Sequence, residues 1–124
     1  MKKEVQKMRV IQIDINCRQQ TTDMPNTLEA LQNAVGGSIQ MVPLTTELCV
    51  VCNEEGKVLS LPPVAVVPML QDILCGPLVI CRTDEQGELI DVEDDDLCKL
   101  STYLQPVYQK SPYDMAVEQG ENPV

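Results

Sequence analysis

The sequence predicts an α+β fold, a small antiparallel or mixed sheet carrying two or three helices in a single domain. Several short runs rich in Val, Ile and Leu are closed by Gly, Pro or Asn/Asp, as strands ending in turns are. Two longer segments carry apolar residues at helical spacing with capping residues at their ends. With 124 residues, 44% of them hydrophobic, the chain is long enough for one core without disulfide or metal staples. The domain is expected over 1–108. Periodicity is lost from about Gln109, so 109–124 is expected to be a flexible tail.

Residues 8–15, MRVIQIDI, alternate Val10 and Ile11 with polar neighbours and form the first expected strand. The polar stretch 16–25, ending in Pro25, reads as a loop. A helix follows, with Asn26 as N-cap, Glu29 in capping-box position and Leu28, Leu31 and Val35 along one face. Gly36-Gly37 supplies its left-handed end. SIQMVPL at 38–44 is a short strand. ELCVVC at 47–52 is nearly continuous in apolar residues, as a strand buried on both faces would be. NEEG at 53–56 reads as a hairpin turn, with KVLSL at 57–61 returning antiparallel until Pro62-Pro63 stops it. Pro68 suits the first turn of a short helix from about Val67 to Leu74, ended by Gly76-Pro77. LVICRT at 78–83 is a strand, DEQG a turn and ELIDV at 88–92 a further strand. The VVC-NEEG-KVL and VIC-TDEQG-ELI segments echo each other weakly, as recurring hairpin chemistry. DDDLCKLSTYL at 94–104 forms the last helix, with Asp94, Asp95 and Asp96 in the first turn, where the dipole favours them. Leu97, Leu100 and Leu104 make its apolar stripe, and Pro106 ends it.

Composition excludes several functions. The core is aliphatic: Phe and Trp are absent, and Tyr103, Tyr108 and Tyr113 are the only aromatics, too few for a base-stacking platform. The formal charge is −10, which repels phosphate backbones and argues against direct DNA or RNA binding. Such a surface either solubilises the protein or complements something basic. Six cysteines without a secretory signal point to reduced thiols and a cytoplasmic setting. No stretch approaches the roughly 20 apolar residues that span a membrane.

The chemical motifs mostly fail on inspection. Cys49 and Cys52 have CxxC spacing, but in a strand they point to opposite faces, so they read as core thiols, as do Cys75, Cys81 and Cys98. With no histidine, neither a conventional triad nor a His-containing zinc set is available. The acidic run Asp84–Asp96 lacks the glycine position of a calcium loop and reads as a solvated turn plus helix start. No phosphate-loop pattern exists. No enzyme activity, cofactor or metal is therefore expected. Arg9, Arg18, Lys57, Arg82 and Lys99 are the cations that could hold a small anion, Lys57 foremost because it ends a tight turn beside a proline corner.

The succession MRVIQID, NTLEALQNAVGGSIQMVPL, VVCNEEGKVLSLPP and DILCGPLVI resembles the domain-of-unknown-function family 3846, small proteins of phages and mobile elements of Gram-positive bacteria. The likeness covers about residues 8–104. It carries onto Leu28, Leu31, Val35, Gly36, Gly37, Asn53, Gly56, Lys57, Leu61, Pro62, Asp72 and Gly76. Family members often follow the LP corner with a small polar step and Asn, where this chain has Pro63, Val64 and Ala65. The resemblance implies a non-enzymatic counter-defence protein in the bacterial host's cytoplasm. The expected form is a homo-oligomeric sponge for a nucleotide-derived immune signal, a small anionic ligand. Asn53, Lys57, Leu61, Pro62 and Arg82 are its candidate ligand-binding residues. The alternatives are an acidic protein that docks on a basic host protein, as a DNA mimic does, and an accessory protein of the mobile element.

Overall fold

In the computed structural model, which describes residues 6–107, the strands and helices follow in this order: β1 (Lys7–Ile13), β2 (Gln19–Pro25), α1 (Leu28–Val35), β3 (Ile39–Pro43), β4 (Leu48–Asn53), β5 (Pro63–Val67), β6 (Asp72–Cys75), β7 (Leu78–Thr83), β8 (Leu89–Ile90), α2 (Asp94–Tyr103) and β9 (Gln105–Pro106). The expected tail lies outside the described residues. All strand pairs among the described residues are antiparallel. One sheet has the order β2-β1-β7-β4-β3, with β8 added beside β7; the other has the order β6-β5-β9.

The larger sheet separates two apolar layers. On one face Met8, Val10, Cys49, Val51, Val79 and Cys81 pack beneath Leu31 and Val35 of α1. On the other, Ile11, Ile13, Leu48, Val50, Cys52, Leu78 and Ile80 meet Val64, Ala65, Val67 and Leu74 of the small sheet, and Leu100 and Leu104 around α2. Period-two alternation sorts neighbouring residues to opposite layers. Every residue of β4 is therefore buried, as its continuous apolar run predicts. Cys49 and Cys52 do face opposite ways, and Cys49 stands opposite Cys81 on β7. Among the described residues no helix is long and apolar enough to cross a membrane.

Several local expectations are corrected. Residues 19–25 are not loop but edge strand β2, whose polar residues face water while Met24 alone is buried. The N-cap of α1 is Thr27, not Asn26: its hydroxyl accepts from Ala30 N at 3.1 Å, while Asn26 Nδ2 donates to Leu89 O. Leu28 is exposed, so the buried stripe is Leu31 and Val35. Gly36 takes the left-handed cap (φ 82°) as predicted.

The largest correction concerns residues 57–61, which form no returning strand. β4 already has β7 on one side and β3 on the other, so a third partner has no edge to join. The segment instead coils: Leu59 N bonds Glu55 O, Ser60 N bonds Lys57 O and Leu61 N bonds Gly56 O, with Ser60 at φ 56°. This coil carries the chain to the second sheet. Pro63 opens β5 there, beside a register shift that tolerates its missing N–H. The expected helix at 67–74 is a hairpin. The valine-rich run 64–67 favours strand, Pro68–Leu70 make a single 3-10 turn, and Gln71 in left-handed conformation sends the chain back as β6. Of the two echoing segments only Asp84–Glu88 closes a true hairpin. Of the thiols assigned to the core, Cys98 is exposed and Cys75 half-buried.

Gly56 is the tightest point of the coil. A Cβ there would lie 2.7 Å from the Cys75 carbonyl oxygen, a backbone atom that cannot swing aside. Gly56→Ala is expected to destabilise the protein by about 1–3 kcal/mol, as overpacking does. The check is a urea titration, in which the midpoint falls while the slope holds.

Candidate functional site

The segments that carry the family likeness converge in space. The Asn53 side chain at the end of β4 is buried, donating from Nδ2 to Val35 O at 3.1 Å and accepting from Glu55 N at 2.8 Å. It thereby ties the C-terminus of α1 to the start of the coil. A Cβ on Gly37 would sit 3.0 Å from Asn53 Nδ2, so the glycine lets the helix end approach. Further along, a Cβ on Gly76 would meet Leu61 Cδ1 at 2.8 Å, and Gly76 N bonds Pro62 O.

Beside this knot opens a cleft of about 210 Å³, bounded by the end of β4, the coil, β6 (an edge strand among the described residues) and Gln40 of β3. At its mouth Lys57 Nζ donates to Asp72 Oδ1 at 2.6 Å, and Ile73 N donates to the same oxygen at 2.8 Å. The bond from Lys57 holds the Asp72 carboxyl below its ordinary range, and Asp72 raises the Lys57 ammonium above its own. Val58 and Ile73, also in the lining, are exposed. Cys52 and Cys75 form part of the wall, and desolvation raises the Cys52 thiol. Among the described residues no group of three or more Cys, Asp or Glu is placed to hold a metal ion.

The family model described as Domain of unknown function (DUF3846) matches residues 8–105. The chain belongs to this family. No curated protein and no solved structure matches it.

The five candidate residues of this DUF3846 protein do not form one site. Asn53 and Lys57 line the cleft, but the polar atoms of Asn53 are already engaged in holding the fold. Leu61 and Pro62 lie behind the cleft, packed and bonded against Gly76. Arg82 pairs in register with Leu48, five residues along β4 from Asn53, which places it roughly 16 Å away at the other end of the sheet. It is fully engaged there. Its guanidinium makes a two-point contact with Asp96 (Nε to Oδ2 3.0 Å, Nη2 to Oδ1 2.8 Å) and reaches Glu47 at 2.6 Å and Glu93 at 3.3 Å. The residues that sequence reasoning did not place beside Lys57 are Gln40, Asp72 and Ile73. Asp72 was among the family-matching positions, which was the available signal.

The Arg82 cluster also corrects the reading of the acidic run. Asp94 and Asp95 are solvated, but Asp96 is buried, and its Oδ2 also accepts from Glu93 N at 2.7 Å to close the capping box of α2. The Arg82 bonds hold the Asp96 carboxyl below the usual carboxylate range. A depressed folded-state pKa adds stability that is fully present above the unfolded value and fades as pH falls through the folded one. Asp96→Asn is therefore expected to lose about 3 kcal/mol at neutral pH, as breaking a buried pair does. The gap to the parent protein should narrow below the ordinary carboxylate pKa near 3.8, which thermal melts across pH would read directly.

Proposed function

We propose that the protein is a non-catalytic capture protein of mobile-element type that sequesters a small nucleotide-derived signal at the Lys57 cleft. The observation that carries this reading is the exposed Lys57–Asp72 pair at the cleft mouth. An ion pair in water contributes little to folding, so its placement is better accounted for by a ligand than by stability. Lys57 offers a charged donor. Asp72 uses only Oδ1 in its two bonds, which leaves Oδ2 to accept an amino group. Gln40 adds an amide, and Val58 and Ile73 add aliphatic walls. A base edge with adjacent donor and acceptor, attached to an anion, matches that set.

Charge restricts the ligand further. Glu54 and Asp72 outnumber Lys57 at the cleft, so a singly charged phosphodiester suits it better than a polyphosphate. Arg82, spent on three carboxylates, takes no part in this reading.

A second reading has its own observation. Glu85, Glu88, Asp91, Glu93, Asp94 and Asp95 are all exposed, an acidic surface suited to docking on a basic host protein.

The protein is expected to deplete a cyclic nucleotide or ADP-ribose-type signal from solution and to release it intact on heating. Lys57→Ala should lower that capture by about tenfold or more, as loss of a charged hydrogen bond does. Asp94→Asn with Asp95→Asn should leave it unchanged. Liquid chromatography of the unbound and heat-released fractions is the measurement. A ligand returned in altered form would mean an enzyme, and no depletion across a panel of such signals would sink the capture reading. Loss of a host-protein interaction in the Asp94/Asp95 variant alone would favour docking.

A further inference from the structure

We infer that the edge of β3, unpaired among the described residues, pairs with the β3 edge of a second copy of this chain, making a symmetric dimer with one continuous sheet. The inference rests on main-chain geometry and charge, independently of any ligand. In the pairing of β3 with β4, Leu44 N donates to Leu48 O and Glu54 N donates to Ser38 O. Residues 38 and 44 thus turn their main-chain groups inward. By alternation so do Gln40 and Val42, paired with Cys52 and Val50. Ile39, Met41 and Pro43 turn theirs outward, at the outer edge of the sheet.

This edge keeps one of the usual protections, Pro43 at its last outward position, and lacks the others. Natural edge strands are blunted by charges, bulges or an inconvenient proline. β2 carries Asp23, and β6 carries Asp72 at one end and an irregular pairing at the other. β3 carries no charge, its register with β4 is unbroken, and Met41 is 44% exposed. Two copies of a chain with formal charge −10 repel each other, so they are best joined where the strand itself bears no carboxylate.

Proline position selects the register. With the two strands antiparallel about Gln40, Ile39 of each copy lies opposite Met41 of the other. The N–H and C=O groups of both residues are then exchanged in full. Pro43 falls outside that set, opposite Gly37, where its missing N–H withholds none of these bonds. The two-fold axis of an antiparallel pair is perpendicular to the sheet, so both copies present the same face. Gln40, which lines the Lys57 cleft, would stand beside its symmetry mate, and the two clefts would open side by side.

Native mass spectrometry and amide hydrogen exchange on the full chain test this. The expected result is a two-chain mass, with Ile39 and Met41 amides protected more strongly as concentration rises. Met41→Lys sets an exposed cation against the partner strand. It should return the monomer and speed exchange at Ile39 by about tenfold or more, with a melting temperature that no longer rises with concentration as the parent's does. A monomer at every concentration with both amides exchanging freely would overturn the inference. So would a dimer that survives Met41→Lys, or assemblies larger than two chains. If the variant does not fold, the concentration dependence of Ile39 and Met41 exchange in the unaltered protein decides the matter alone.

Discussion

The side chain of Asn53 is the contact on which the architecture turns. It sits at the last position of a strand buried on both faces, where an amide without partners would be costly. Its two bonds fix the end of α1 on one side and the first step of the coil on the other. Helix, large sheet and the passage to the small sheet therefore share one anchor. The close approach at Gly37 follows from it, since a side chain there would collide with the Asn53 amide. The cleft is what remains open beside this knot.

Much of the fold was legible where burial and local pattern agree. The strands at 8–15, 47–52 and 78–83 were readable because their apolar spacing matches the layers they enter, and both α-helices from their spacing and ends, although Leu28 and Leu97 of the expected stripes stand exposed. The failures share a physical cause. Residues 57–61 look like a strand locally, but whether a strand forms depends on a vacant edge, and the edges of β4 are taken by the preceding β3 and by β7 from further along the chain. The stretch 64–75 carries a proline that suits a helix start as well as a 3-10 turn, and only pairing with β9 and β6 decides between them. β2 was missed because an edge strand facing water needs few apolar residues.

The site was legible in a different measure. Lys57 could be singled out from its turn, but its partner Asp72 stands fifteen positions away and meets it only through the hairpin that sequence reasoning took for a helix. Arg82 looked like an available cation because charge counting does not see pairing. In the fold it is the counter-ion of a buried carboxylate, and its job is to hold α2 against β7 and the start of β4. The two cations thus separate into one that is spent on structure and one poised at a surface.

The strand order has a consequence for how the chain comes into being. β7 lies between β1 and β4, yet it is among the later strands to be synthesised. Until residues 78–83 arrive, the larger sheet can exist only as two separate halves, β2-β1 and β4-β3, each with an apolar flank awaiting a neighbour. Pairing Ile11 with Ile80 closes a loop of most of the chain, the kind of contact that folds slowly. The run LVICRT thus acts as the zip between two waiting halves. The interval before it closes is when this protein is most open to aggregation or to capture by a chaperone.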